Sequence, residues 1–302
     1  LNSLGWYKAK RNYQLYLFLL PVALYFLVFH YLPMYGVIIA FKNFSPVLGF
    51  NGSPWIGFDH FERFFSSPQF LKLLGNTLIL SVYSLVAGFP LPIVLAIALH
   101  YVPNRAFKKV IQTVTYAPHF ISVVVIVGMV TMFLSPTTGI VNHLLGMLDQ
   151  DPISFMTSPS YFSSIYVWSG IWQNVGWSSI IYLAALSTVD TSLHESAKID
   201  GAGIWTRIWH IDIKGIAPTI IILLILDMGN VMTVGFEKVF LMQNALNLTS
   251  SEIISTYVYK AGILGGQFSF STAVGLFNSV INFIMLIAVN KVARRIGDTS
   301  LW

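Results

Sequence analysis

The chain has no cysteine and very little charge. Only 10% of its 302 residues are Asp, Glu, Lys or Arg, where soluble domains carry about 25%. The missing cysteines exclude disulfides, thiolate metal sites and thiol nucleophiles. No Gly-Lys dipeptide occurs, so a phosphate-cradling Walker loop is absent, and so are His-x-x-x-His and Gly-x-Ser-x-Gly. The seven histidines, His30, His60, His100, His119, His143, His194 and His210, are scattered along the chain. No catalytic residue, metal site or cofactor is expected. What remains is 55% hydrophobic residues and a mean hydropathy of +0.70, the composition of a membrane protein. The formal charge of +5 needs no nucleic acid, because a membrane protein keeps excess Lys and Arg on one side.

About 20 apolar residues cross a bilayer. Six windows meet that need, at roughly 15–39, 77–99, 111–134, 164–186, 216–234 and 273–292. They predict an all-α, polytopic protein made of a single transmembrane domain over residues 1–302, with no soluble domain and no internal repeat. The second window is broken by Gly88, Pro90 and Pro92, so a bent helix packed within a bundle is expected there. The basic start, with Lys8, Lys10 and Arg11 beside Trp6 and Tyr7, reads as an interfacial anchor. The apolar run after it is too long for a signal peptide.

Lys and Arg set the orientation. Lys8, Lys10, Arg11, Arg105, Lys108, Lys109, Lys198, Arg207, Lys214, Lys291, Arg294 and Arg295 fall on one side; Lys42, Arg63, Lys72, Lys238 and Lys260 fall on the other. The first group belongs in the cytoplasm. Both termini are then cytoplasmic, and so is the connection of residues 191–218 between the fourth and fifth windows.

That connection is the most polar long link between two spans. Ser192-x-x-Glu195 matches a capping box and predicts a helix from about Leu193. Asp200-Gly201 predicts its stop. Ala197 and Gly201 are small enough to let another surface approach. Ile204, Trp205, Ile208 and Trp209, with Arg207 and His210 between, suit an interfacial helix leading into the next span. An ordered loop and a mechanical lever are both open on these residues alone.

Within the windows, Asp227 is the one carboxylate deep in apolar sequence. It must face a partner, a bundle interior or a water-filled path. Asn230 and Thr233 follow at helical spacing, and Asn278 and Asn282 form a second polar stripe. Trp172 and Gln173 place an apolar ring beside an amide, a pairing that suits sugar; an interfacial aromatic belt is the other reading. With one buried acid and no buried Lys or Arg expected, a proton-driven carrier is disfavoured. The long outer connection, with Gln243, Asn244, Asn247, Thr249 and Ser250, is either a docking face or a solvated cap. Three classes remain: an ATP-driven permease, a self-sufficient ion-gradient transporter or channel, and a membrane scaffold.

Glu195-Ser196-Ala197-Lys198-Ile199-Asp200-Gly201-Ala202, followed by Ile211-Asp212-Ile213 and Pro218, resembles the EAA loop of ABC importer permeases. Ser196 replaces the family's second residue, and Ile213-Lys214 replaces its Leu-Pro. Tyr31-Leu32-Pro33-Met34-Tyr35-Gly36, Ala40-Phe41-Lys42-Asn43-Phe44, Asn76-Thr77, Thr256-Tyr257-Val258-Tyr259 and Ala273-Val274-Gly275-Leu276-Phe277 extend the likeness to maltose-type, binding-protein-dependent sugar permeases. The nearest resemblance among these is to alginate-oligosaccharide importers. It implies a multi-pass protein of the bacterial cytoplasmic (inner) membrane. The implied partners are a second homologous permease in a heterodimer, two ATP-binding-cassette ATPases, an external solute-binding protein and an oligosaccharide. It implies that Glu195, Ser196, Ala197, Asp200, Gly201 and Arg207 couple to the ATPase. Asp227, Asn230, Trp172, Gln173, Asn278 and Asn282 are the residues expected along the substrate path.

Overall fold

The computed structural model describes residues 12–296, together with the side chains of all but the last of these. The basic segment with Lys8, Lys10 and Arg11 lies outside them. The described residues are helical throughout apart from turns, with no strand among them and one isolated antiparallel bridge, Lys42 to Trp55. They divide into two compact units, one holding residues up to Ser67 with Val258–Leu276, the other holding Pro68–Tyr257 with the chain from Phe277 onward.

In the first unit, α1 (Tyr13–Phe26) continues through a π turn and a final 3-10 stretch to Phe41. This 29-residue span is apolar on every face, and none of its most hydrophobic window is buried. A helix of that kind is solvated by lipid or by another membrane subunit. A short helix, α2 (Asp59–Phe65), follows the bridge. Phe41 stacks on Trp55 and meets Phe58 and Phe61 edge-on or tilted. Arg63 donates to Gln267 at 2.8 Å and lies over the Phe270 ring.

The second unit is arranged around α8 (Pro159–Ser187), 29 residues long. Before it come α3 (Phe70–Gly88), α4 (Pro90–Tyr101), α5 (Arg105–Tyr116), α6 (Val123–Phe133) and α7 (Ile140–Gly146). After it come α9 (Thr191–Ile199), α10 (Ile213–Met228) and α11 (Phe236–Met242). The final helix, α12 (Phe268–Ile296), begins in the first unit and ends in the second. Helix α8 lies against α3, α4, α5 and α10. Gly176 allows the closest approach: a Cβ there would sit 2.1 Å from the carbonyl oxygen of Thr115 on α5.

Three sequence expectations need correction. The break expected at Gly88-Phe89-Pro90 is absent, because Phe89 keeps helical dihedrals and the prolines occupy the first turn of α4, where no N–H is needed. One helical span therefore runs from Phe70 to Tyr101. The third window is not one straight crossing: α5 and α6 meet at 103°. Pro118 sits in the 3-10 turn that ends α5, and the Ser122 side chain caps α6 by accepting from the Val125 N–H. The fifth window is helical only to Met228, beyond which the chain turns and then extends to Gly235. Among the described residues, three helices qualify as crossings by length and apolarity, Tyr13–Phe41, Phe70–Tyr101 and Phe268–Arg295, or four with the bent pair.

Two apolar clusters pin the ends of α8. One joins Phe162 to Leu80, Val127, Val234, Val239, Met242 and Ile253. The other joins Tyr182 and Leu186 to Ala96 and Ile216. Phe162 and Leu186 are about 36 Å apart at the helical rise. Between these seals the α8 wall borders cavities.

Candidate functional site

The inner connection folds as a short capped helix, α9, and a return segment. It starts earlier than the capping box predicts. Asp190 takes the cap position and its Oδ1 accepts the Ser192 N–H at 2.9 Å, so the helix begins at Thr191 rather than Leu193. These hydrogen bonds from Ser192 hold the Asp190 carboxyl below the usual carboxylate range. The stop is where the sequence places it. Gly201 has φ +76°, Ala202 N–H reaches the Ala197 carbonyl at 2.8 Å, and Gly201 N–H reaches that of Lys198 at 3.1 Å. This is a Schellman closure, which requires the left-handed conformation glycine adopts freely. Glu195, Ser196 and Asp200 are exposed and Ala197 is half-buried. Ile199, an apolar side chain, stands 87% exposed.

The helix is held from behind by a buried polar knot. Asp212 is fully buried; its Oδ1 lies 3.2 Å from His194 Nε2 on α9, and its Oδ2 accepts from the Tyr101 hydroxyl of α4 at 2.6 Å. His100 joins them, so ligand-type atoms of His100, His194 and Asp212 all lie within 4.8 Å of one another. The histidines are therefore not all scattered. Nothing in their spacing along the chain signals the meeting, because it depends on α4, α9 and the return segment converging. The expected contact residue Arg207 is half-buried, with its guanidinium 5.9 Å from the centre of its own chain's Tyr101 ring. Gly215, at the start of α10, sits against Val189, where an added Cβ would come within 2.8 Å of the valine.

The hollow along α8 consists of three adjoining cavities, with a few polar groups in mainly apolar walls. One of about 430 Å³ is lined by Phe89, Trp177, Tyr182 and Asp227. A second of about 360 Å³ is lined by Tyr166, Gln173, Asn174 and Lys238. A third of about 260 Å³ is lined by Asp227, Asn230 and Thr233. Ser84 lines all three. Asp227 and Asn230 are thus together, but not on one helix face: α10 ends at Met228, and Asn230 and Thr233 belong to the turn after it.

Gln173 is buried in the wall and donates to the Ile121 carbonyl at 3.0 Å, whereas Trp172 is exposed and lines none of the three cavities. Asn278 and Asn282 hold the turn itself. Asn282 accepts the Met232 N–H at 2.8 Å and donates to Thr233 Oγ1 at 3.0 Å, and Asn278 donates to the Met232 carbonyl at 3.4 Å.

Two features escaped the sequence. Lys238, assigned to a solvated outer connection, is 8% exposed and lines the second cavity. The expectation of no buried Lys is thereby overturned. The amide-rich outer connection is not solvated throughout. Asn247 is fully buried and bonds Met156, Met242, Asn244 and Ser251.

This architecture has close counterparts. Two proteins of Bacillus subtilis (strain 168) align over nearly the whole chain. One is Protein LplB, 45% identical over 302 residues, covering 100% of this chain and 95% of that protein. The other is the polygalacturonan/rhamnogalacturonan transport system permease protein YteP, 43% identical over 295 residues, covering 98% and 92%. Among solved structures, a chain from a bacterial ABC transporter involved in the import of the acidic polysaccharide alginate superposes with a TM-score of 0.90 at 41% identity, over 97% of this chain and 99% of that one. A chain from a bacterial alginate ABC transporter in complex with an alginate pentasaccharide-bound periplasmic protein gives 0.91 at 40%, over 98% and 99%. Residues 88–298 match the family described as the binding-protein-dependent transport system inner membrane component, and the chain belongs to that family of ABC importer permeases.

Proposed function

We propose that this chain is one wall and one lever of an ATP-driven importer of acidic oligosaccharides. It crosses the membrane six times with both ends in the cytoplasm, which puts α9 on the ATP-bearing side. One of two ATPase subunits grips α9 at Glu195, Ser196, Ala197, Asp200 and Gly201, with Arg207 behind. A second, homologous permease completes the path, and an external binding protein delivers the sugar. The chain binds no nucleotide itself; hydrolysis belongs to the ATPases. The substrate class follows the alginate and polygalacturonan systems among the relatives.

One observation carries this reading. Helix α10 begins beside the Asp212 knot behind α9 and ends at the cavities with Asp227. A span of 15 residues, about 22 Å of helix, joins the lever to the path. A push on α9 reaches the hollow through one element. The apolar surface of Ile199, Trp205 and Trp209 on the lever suits a protein cleft and the membrane interface.

The test is reconstitution of the permease pair with its ATPases and loaded binding protein. Substrate must accelerate ATP hydrolysis, and oligosaccharide uptake must stop without ATP. Uptake by the permease chains alone, set by an ion gradient, would instead identify a secondary transporter.

A further inference from the structure

Resting on that reading, we propose that Lys238 is the residue that selects an acidic sugar, by pairing with a carboxylate of the chain in transit. Lys238 stands on α11, and its side chain is 8% exposed. Its Nζ donates to the Tyr166 carbonyl at 2.8 Å and lies 4.9 Å from the centre of the Tyr166 ring. Among the described residues no carboxylate lies within ion-pair distance of it. A lysine ammonium has three donors, and here one is used. Burying a charge without a counter-ion costs several kcal/mol, so the site is incomplete as a structural feature. It becomes complete when an anion enters the adjoining 360 Å³ cavity.

The surroundings fit a sugar acid rather than a free inorganic anion. Gly170 faces the ammonium, and a Cβ there would stand 3.2 Å from Nζ, so the glycine leaves the approach open. Gln173 and Asn174 share the cavity wall, their amides held on the Ile121 and Gly170 carbonyls. Asp227 lines the two neighbouring cavities and not this one. A carboxylate is repelled there and attracted at Lys238, while a hydroxyl is accepted beside Asp227. Opposite charges in adjoining cavities set the register of an oligouronate. A neutral sugar gains nothing from the lysine.

The test measures equilibrium binding to the full permease–ATPase complex held with a non-hydrolysable nucleotide, without the binding protein. The two probes are a uronic-acid tetrasaccharide and its carboxyl-reduced, neutral counterpart. Lys238→Gln should weaken binding of the acidic probe about tenfold to a hundredfold, the range of a charged hydrogen bond, and leave the neutral probe unchanged. Lys238→Arg should retain most of the affinity. Gly170→Ala, which crowds Nζ without touching the charge, should also weaken the acidic probe selectively. Basal ATP hydrolysis checks that each variant is assembled. Equal loss for both probes, or no loss for either, overturns the assignment and leaves the importer reading standing. Wild-type complex that binds neither probe overturns both.

Discussion

Asp212 and Gly201 hold the lever in place by different means. Asp212 is shared by α4, through Tyr101, and by α9, through His194. Asp212→Ala takes the carboxylate from two half-buried partners and should cost about 1–3 kcal/mol. The expected outcome is a lower melting temperature of the purified complex and ATP hydrolysis that no longer responds to substrate. Gly201 sits at φ +76°, with no atom within 4 Å of the position a Cβ would take. A side chain there meets strain rather than a clash, about 1–2 kcal/mol for a left-handed residue. Gly201→Asp should therefore leave membrane insertion intact and abolish coupling; transport at the wild-type rate would show that this turn is not where the motor acts. Acid works in the same place. The Asp190 carboxylate is depressed by its bonds to Ser192, so its contribution is complete above about pH 4, its unfolded value. It is lost as the pH falls through the lower, folded value. At neutral pH the cap is always present.

At the scale of elements, α8 sets the position of its neighbours. Its closest contact, Gly176 on Thr115, leaves no room for a methyl group. Gly176→Ala must force α5 away. It should destabilise the assembled complex by about 1–3 kcal/mol, seen as a lower midpoint in thermal unfolding of the complex in detergent. How far the elements could be read from the sequence differs from one to the next. The Asp200-Gly201 stop was legible because a positive φ after a helix almost demands glycine. The start was not, because Ser192 and Asp190 compete for one cap, and the acid two residues earlier won. The bend between α5 and α6 was hidden because one hydropathy window joined the amphipathic end of α5 to the apolar α6, across the proline that turns the chain. Asp227 stood out as a lone carboxylate in apolar sequence. Lys238 did not, since a lysine beside Glu237 in an outer connection reads as solvated until α11 folds its side chain against Tyr166.

At the scale of the whole molecule, the chain is built to work in company. Its first span buries none of its hydrophobic window, and the cavities are open-sided, with Asp227 and Asn230 exposed. Both surfaces call for lipid or a second permease. Because the chain has no cysteine, single cysteines can report topology without background. A cysteine at Lys198 should react with a membrane-impermeant reagent only in inside-out vesicles, and one at Asn51 only in right-side-out vesicles. The reverse pattern would invert the protein and detach it from its motor.

Helix α10 has a thermodynamic consequence as well. Because one helix joins the Asp212 knot to the cavity wall, an occupant at either end biases the other by the same free energy. If the nucleotide-loaded motor weakens the grip on sugar by some factor, sugar must loosen the motor by that same factor. Measuring either one fixes both.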